Sequence, residues 1–198
     1  MPSLLSDSIL TNANFLKKVT YLKNKLEFDT VTYKHSLNVA NMCVKFLRYL
    51  NCDINENMVF YAGLFHDIGK TTITKTILNK KSNLSKSEFS QIKDHTTQGY
   101  KILLKHGFPT EIFLSAHLHH EKFDGTGYPL GLVSDETPLI ARIVSICDVF
   151  DALTSDRPYR KAFCADEALQ IMTDSGSHFD PELLSILTAN CSRFISTC

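Results

Sequence analysis

Apolar residues recur at helical spacing along nearly the whole chain, and no stretch alternates long enough to build a useful strand. Val31, His35, Val39, Met42, Phe46 and Leu50 are spaced by three or four, within about 100° on a helix, and leave Lys34, Asn38, Asn41, Lys45 and Arg48 outside the stripe. His35 therefore lies on a face that should be buried. A second helix is expected from Thr137 as N-cap and Pro138 as first helical residue, carrying Ile140, Ile143, Val144 and Cys147 inward. Asp151 falls about 20° from Ile140 on that wheel and Asp148 about 80°, so both carboxylates border or enter an apolar face. Further helices are expected over 13–27, 56–68, 86–104, 110–119, 165–174 and 181–195, the last opened by Asp180 as N-cap with Pro181 following. Between 121 and 136, Gly125, Gly127, Pro129 and Gly131 stop a helix and require a structured loop. The fold class is all-α, and residues 1–12, with weak periodicity, are expected to fray.

Composition narrows the function classes. The 198 residues, 43% hydrophobic and 21% charged, suit one compact domain burying about 70% of its unfolded surface. Basic and acidic residues balance at 21 each, so no global field draws the chain to a DNA or RNA polymer or an anionic membrane. No apolar run approaches the roughly 18 residues of a span. No Lys or Arg precedes Lys17, which speaks against a cleaved secretory signal, and the chain reads as cytoplasmic. The six cysteines contain no C-x-x-C pair and are expected as buried, reduced thiols. Six lysines between Lys70 and Lys93 face the single acid Glu88, and Arg157, Arg160 and Lys161 form a smaller cluster; on charge alone both read as solvated faces.

The histidines carry the chemistry. Six of the eight lie between 66 and 120, and His35 joins them from a core-facing stripe. His106, His117 and His178 are treated as ordinary hydrogen-bonded residues. The pairs His66-Asp67 and His119-His120 are different. Together with the inward-leaning Asp148, they gather neutral imidazoles and carboxylates whose joint burial is costly without a cation. A mixed nitrogen and carboxylate set without thiolate suits iron or manganese better than structural zinc.

Several motifs, in order and spacing, resemble the HD-GYP family of metal-dependent phosphohydrolases: His66-Asp67-Ile68-Gly69-Lys70, His95 with Gly99, and the run from His119-His120-Glu121 to Gly127-Tyr128-Pro129. Asp148, Asp156-Arg157-Pro158-Tyr159-Arg160 and Gly176-Ser177-His178-Phe179-Asp180-Pro181 complete the likeness, which covers about residues 30–185. It implies an all-α helical bundle over 29–198, with an ordered Gly/Pro-rich loop and a helical extension over 1–28. It also implies hydrolysis of cyclic di-GMP to pGpG or GMP by a hydroxide held between two metals. One metal would take His35, His66, Asp67 and Asp148; the other would share Asp67 and take His95, His119 and His120. In the trinuclear subset a Glu stands four residues before the first histidine, where this chain has Val31, so two ions are expected.

The remaining roles follow from the same resemblance. Asp67 and Lys70 would act in the reaction itself, Lys70 as a point charge at phosphate or, alternatively, as a plain helix C-terminal cation. Gly127, Tyr128 and Pro129 would shape the substrate cleft, with Arg157 and Arg160 binding phosphate or guanine. Asp151 would orient a ligand or pair with Arg160. Alternative functions are hydrolysis of cyclic GMP-AMP and a non-catalytic module that senses nucleotide or docks a partner such as a diguanylate cyclase; a homodimer is left open.

Overall fold

The computed structural model describes residues 9–50, 52–80, 82–156 and 160–194. Among these no strand forms, an isolated bridge pairs Asp124 with Val133, and the architecture is all-α. The helices are α1 (Ala13–Leu26), α2 (Thr30–Leu47), α3 (Glu56–Phe65), α4 (Lys75–Leu78), α5 (Lys86–Lys93), α6 (His95–Lys105), α7 (Thr110–Leu118), α8 (Leu139–Thr154), α9 (Ala165–Asp174) and α10 (Pro181–Asn190). Short 3-10 turns follow α3, precede α8 and follow α10, at Ile68–Thr72, Ser134–Glu136 and Cys191–Arg193.

Local chemistry explains most boundaries. Asp29 caps α2 by accepting from the Thr32 amide at 2.8 Å, Asn55 caps α3 through Met58, and Ser85 with Glu88 forms a capping box on α5. Asp180 caps α10 as expected, with Pro181 in the first turn. Three expected boundaries move. The periodic run 86–104 is two helices that part at Asp94, and α8 begins at Leu139 with Pro138 as its N-cap, so Thr137 lies one position outside. The helix expected over 56–68 stops at Phe65, where the chain tightens into the 3-10 turn. The expected fraying of the first residues falls largely on 1–8, outside the described residues.

Phe46, Phe65, Phe150, Ile112, Ile143 and Leu103 are fully buried and bring α2, α3, α6, α7 and α8 into one core; α1 joins it through Phe15, Leu22 and Leu26. No described helix is long and apolar enough to cross a membrane. The bundle thus sets the middles of α2 and α8 against the ends of α3 and α7 and the start of α6.

Candidate metal centre

Two of the expected ligands sit mid-helix and the others at helix ends. His35 and Asp148 point from the buried stripes of α2 and α8. His66 caps the C-terminus of α3, with Asp67 next; His95 is the first residue of α6; His119 caps α7, with His120 following. At a helix end the backbone leaves its 100° progression, so sequence neighbours such as His66 and Asp67 can both turn inward. The same ends supply carbonyls without intrahelical partners. His66 Nδ1–H donates to Gly63 O at 2.7 Å, His95 Nδ1–H to Ile92 O at 2.6 Å, and His119 Nδ1–H to Ala116 O at 3.1 Å. Because a carbonyl only accepts, these bonds place the proton on Nδ1 and leave Nε2 as a donor atom for a cation. His35 Nδ1–H donates instead to Asp151 Oδ2 at 2.6 Å, so Asp151 orients the ring rather than pairing with Arg160.

Asp67 is the hub. Its Oδ2 lies 3.3 Å from His66 Nε2 and 3.9 Å from His35 Nε2, while its Oδ1 lies 3.3 Å from His95 Nε2 and 4.0 Å from His119 Nε2. Each oxygen of one carboxylate therefore faces its own pair of imidazoles. Asp148 Oδ1 closes the first side, 2.8 Å from His35 Nε2 and 3.8 Å from His66 Nε2. His120 closes the second. Ligand atoms of His35, His66 and Asp148, of His95, His119 and His120, and of His66, Asp67 and His119 each lie within 4.8 Å of one another.

Two observations test whether a cation belongs here. His66 Nε2 and Asp67 Oδ1 are fully buried and make no hydrogen bond, a cost that coordination removes. His95 Nε2 and His119 Nε2 stand 3.2 Å apart as two acceptors facing each other once both Nδ1 atoms carry protons. The electrostatics agree. Burial pushes His120 down to about 4 and holds His95 and His119 below the ordinary histidine range, which keeps these rings neutral. Burial would raise the Asp67 carboxyl, but Lys70, His66 and His95 hold it well below the usual carboxylate range. His35 is the exception: burial alone would lower it, yet its bonds to Asp148 and Asp151 raise it to about 9. The residues fit a divalent metal.

Around this cluster, Lys70 Nζ donates to Asp67 Oδ2 at 2.5 Å with its side chain a quarter exposed. It reaches the cluster rather than merely ending a helix. Tyr128 lies against His120, ring centroids 4.9 Å apart, and its amide donates to His120 O at 3.1 Å. Gly127 must lack a Cβ for that approach: one built there would stand 2.5 Å from Glu121 Cα, 2.6 Å from His120 O, and nearer still to Lys122 N. Pro129 follows through a cis peptide and lines a cavity together with Tyr128, Lys93 and Asp94.

Arg157 lies outside the described residues. Arg160 departs from its expected role: its guanidinium donates to Ala152 O at 2.6 Å and to Leu153 O and Lys161 O at 3.1 Å, and it stacks 4.4 Å over Phe163. It joins two carbonyls at the end of α8, Leu153 O also accepting from the Phe163 amide at 3.0 Å, to Lys161 O, a use of its fork other than the expected phosphate or guanine contact. His106, His117 and His178 stay outside the cluster, against Ile102 O, Tyr100 and Lys122 respectively. Reading the sequence passed over Glu121, which is buried and accepts from three consecutive loop amides. Its place beside the histidine pair was the available signal.

This bundle, with a histidine and aspartate cluster gathered at its helix ends, belongs to the HD domain family, whose model matches residues 9–183. Among curated relatives, the cyclic di-GMP phosphodiesterase PA4108 of Pseudomonas aeruginosa is 39% identical over 181 residues, covering 90% of this chain and 43% of that protein. The 3'3'-cGAMP-specific phosphodiesterase 3 of Vibrio cholerae is 41% identical over 127 residues, 64% of this chain and 28% of that one. The chain thus spans less than half the length of either. Bd1817, an HDG"Y"P protein from Bdellovibrio bacteriovorus, shares the fold with a TM-score of 0.67 at 20% identity, over 94% of this chain and 60% of its own.

Proposed function

We propose that this chain is a metal-dependent phosphodiesterase that hydrolyses cyclic di-GMP to pGpG or GMP. The observation that carries the reading is Asp67, whose two oxygens face two separate imidazole pairs at the centre of a buried, thiolate-free donor set. Two divalent ions, one held by His35, His66, Asp67 and Asp148 and the other by Asp67, His95, His119 and His120, would supply Lewis acidity at phosphate and lower the pKa of water. Nitrogen and carboxylate donors favour iron or manganese. Val31, exposed on α2, offers no atom to a third ion.

The chain's own groups do the rest. Lys70, anchored on Asp67 with its side chain partly exposed, presents a preset positive charge to the phosphate oxygens as negative charge develops. Asp151 holds the His35 ring in place through Nδ1, with Asn38 donating to its other oxygen at 3.0 Å. Tyr128 offers a ring face to a base and a hydroxyl that burial raises, followed by the charges of Asp67 and Asp148, so it stays a donor. A cyclic GMP-AMP substrate is the second reading, supported by the Vibrio cholerae relatives named for it. The reading places the chain in the cytoplasm, where the described cysteines would stay thiols.

Anaerobic purification, separate reconstitution with ferrous iron and manganese, and chromatography of both cyclic dinucleotides test the proposal. Conversion of cyclic di-GMP to pGpG or GMP is expected. No turnover of either nucleotide with any metal would overturn it.

A further inference from the structure

Glu121 follows the two histidines in the chain, yet it takes no place among the donor atoms around Asp67. Its side chain is buried and accepts from Leu130 N at 2.6 Å, from Gly131 N at 3.0 and 3.2 Å, and from Leu132 N at 3.1 Å. Three successive amides converge on one point because Gly131 adopts a φ of +69°, which turns the backbone into a concave anion cradle. Both carboxylate oxygens are thus occupied by the loop.

The loop so held carries Tyr128. From its other end it is pressed against the chain at Gly127, where a side chain would collide with His120 O and Glu121 Cα. Between those two anchors Tyr128 rests on His120, with Lys93 Nζ 5.5 Å from the centre of its ring. The tyrosine borders two cavities. One of about 270 Å³ lies against Val149, Met172 and Phe179, and one of about 460 Å³ against Gln91, Lys93 and Asp94. A ring at that spot decides the shape of both spaces beside the cluster.

We infer that Glu121 is a positioning residue: by clamping the amides of residues 130–132, it fixes Tyr128 over His120 as the wall against which a substrate nucleobase stacks. The stacking half of the inference rests on the proposed phosphodiesterase reading; the clamping half does not. The carboxylate is required rather than a polar side chain in general. An amide in its place would point an NH2 group at backbone N–H donors and leave buried donors unpaired.

Glu121→Gln in the metal-loaded chain, with fluorotyrosine incorporated and the Tyr128 signal assigned by Tyr128→Phe, tests both halves. The expected results are amide exchange at residues 130–132 faster by about ten- to hundredfold, a shifted fluorine resonance for Tyr128, and metal content like the parent. For cyclic di-GMP, KM should rise about tenfold with kcat little changed, and the effects of Glu121→Gln and Tyr128→Ala on kcat/KM should fail to add, since one acts through the other. Gly131→Ala disturbs the cradle from the exposed side and should reproduce the exchange and fluorine changes should Glu121→Gln not fold. Unchanged exchange or an unmoved fluorine signal would overturn the clamp. Additive kinetics would overturn the coupling to substrate. A parent without turnover would remove the phosphodiesterase reading and the stacking that depends on it, while exchange and fluorine data would still decide the clamp.

Discussion

Gly69→Ala should dismantle half of the metal centre while adding only one methyl group. A Cβ built on Gly69 would lie 2.6 Å from Gly99 N and 2.7 Å from His95 C, and closer still to His95 O. Ordinary contact begins near 3.4 Å, so the first turn of α6 must retreat by at least about 0.7 Å and, at the His95 carbonyl, by on the order of 1 Å. That carbonyl belongs to the residue whose Nε2 sits 3.3 Å from Asp67 Oδ1. Overpacking of this kind typically costs about 1–3 kcal/mol, and a misplacement of about 1 Å at a reacting centre costs about a hundredfold in rate. Gly99→Ala is the internal control on the other side of the same contact. Its Cβ would meet Gly69 N at 3.4 Å and Ala116 Cβ and Ile68 Cγ2 at 3.5 Å, all ordinary distances. It also removes a glycine from a helix interior, which gains up to about 1 kcal/mol. Melting temperature, metal content and turnover of both variants form the assay. Gly69→Ala should melt lower, lose metal and slow by about two orders of magnitude, with Gly99→Ala near the parent. Equal behaviour of the two variants would refute the reasoning.

Three further outcomes follow from the site. Lys70→Ala should keep its metals and near-parental melting while turnover falls by about 10²–10³, the usual loss of one preset oxyanion donor; metal loss, seen by elemental analysis, would make Lys70 structural. Arg160→Ala should leave KM for cyclic di-GMP unchanged and lower stability by about 1 kcal/mol, because it removes the partner of the Ala152 carbonyl while Leu153 O keeps the Phe163 amide; a raised KM at unchanged melting would restore a substrate contact. After chelation, the melting temperature should peak near pH 6.5. His120, lowered to about 4, contributes stability above 6.5 that is lost as pH falls toward 4, and His35, raised to about 9, contributes stability below 6.5 that is lost as pH rises toward 9. Thermal scans that stay flat from pH 4 to 9 would contradict both assignments.

How far the sequence reached depends on the range of each interaction. The helical stripe of α2 and the wheel of α8 place His35, Asp148 and Asp151 on buried faces because periodicity is local, and the structure buries all three. Asp180 with Pro181, again local, marks the start of α10. The break at Asp94 was invisible, since 86–104 contains no proline and its single glycine, Gly99, lies inside α6; packing of the His95 turn against Gly69 ends α5 instead. Glu121 was passed over, and the partners of Arg160 were not foreseen, for a related reason. A carboxylate beside two histidines and an arginine among basic residues both resemble ligand-facing groups. Only the folded loop shows three amides aimed at the one, and only the fold brings two carbonyls at the end of α8 and Lys161 O to the other.

The central claim is that one buried carboxylate joins two cation sites, and metal stoichiometry tests it most directly. Parent chain and Asp67→Asn, reconstituted anaerobically with manganese, passed through a desalting column and analysed for metal against protein, should differ sharply. Two ions per parent chain and loss of ions from both sites in the variant are expected, since Asp67 Oδ1 and Oδ2 face different histidine pairs. A parent holding a single ion or three, or an Asp67→Asn chain that retains both, would contradict it.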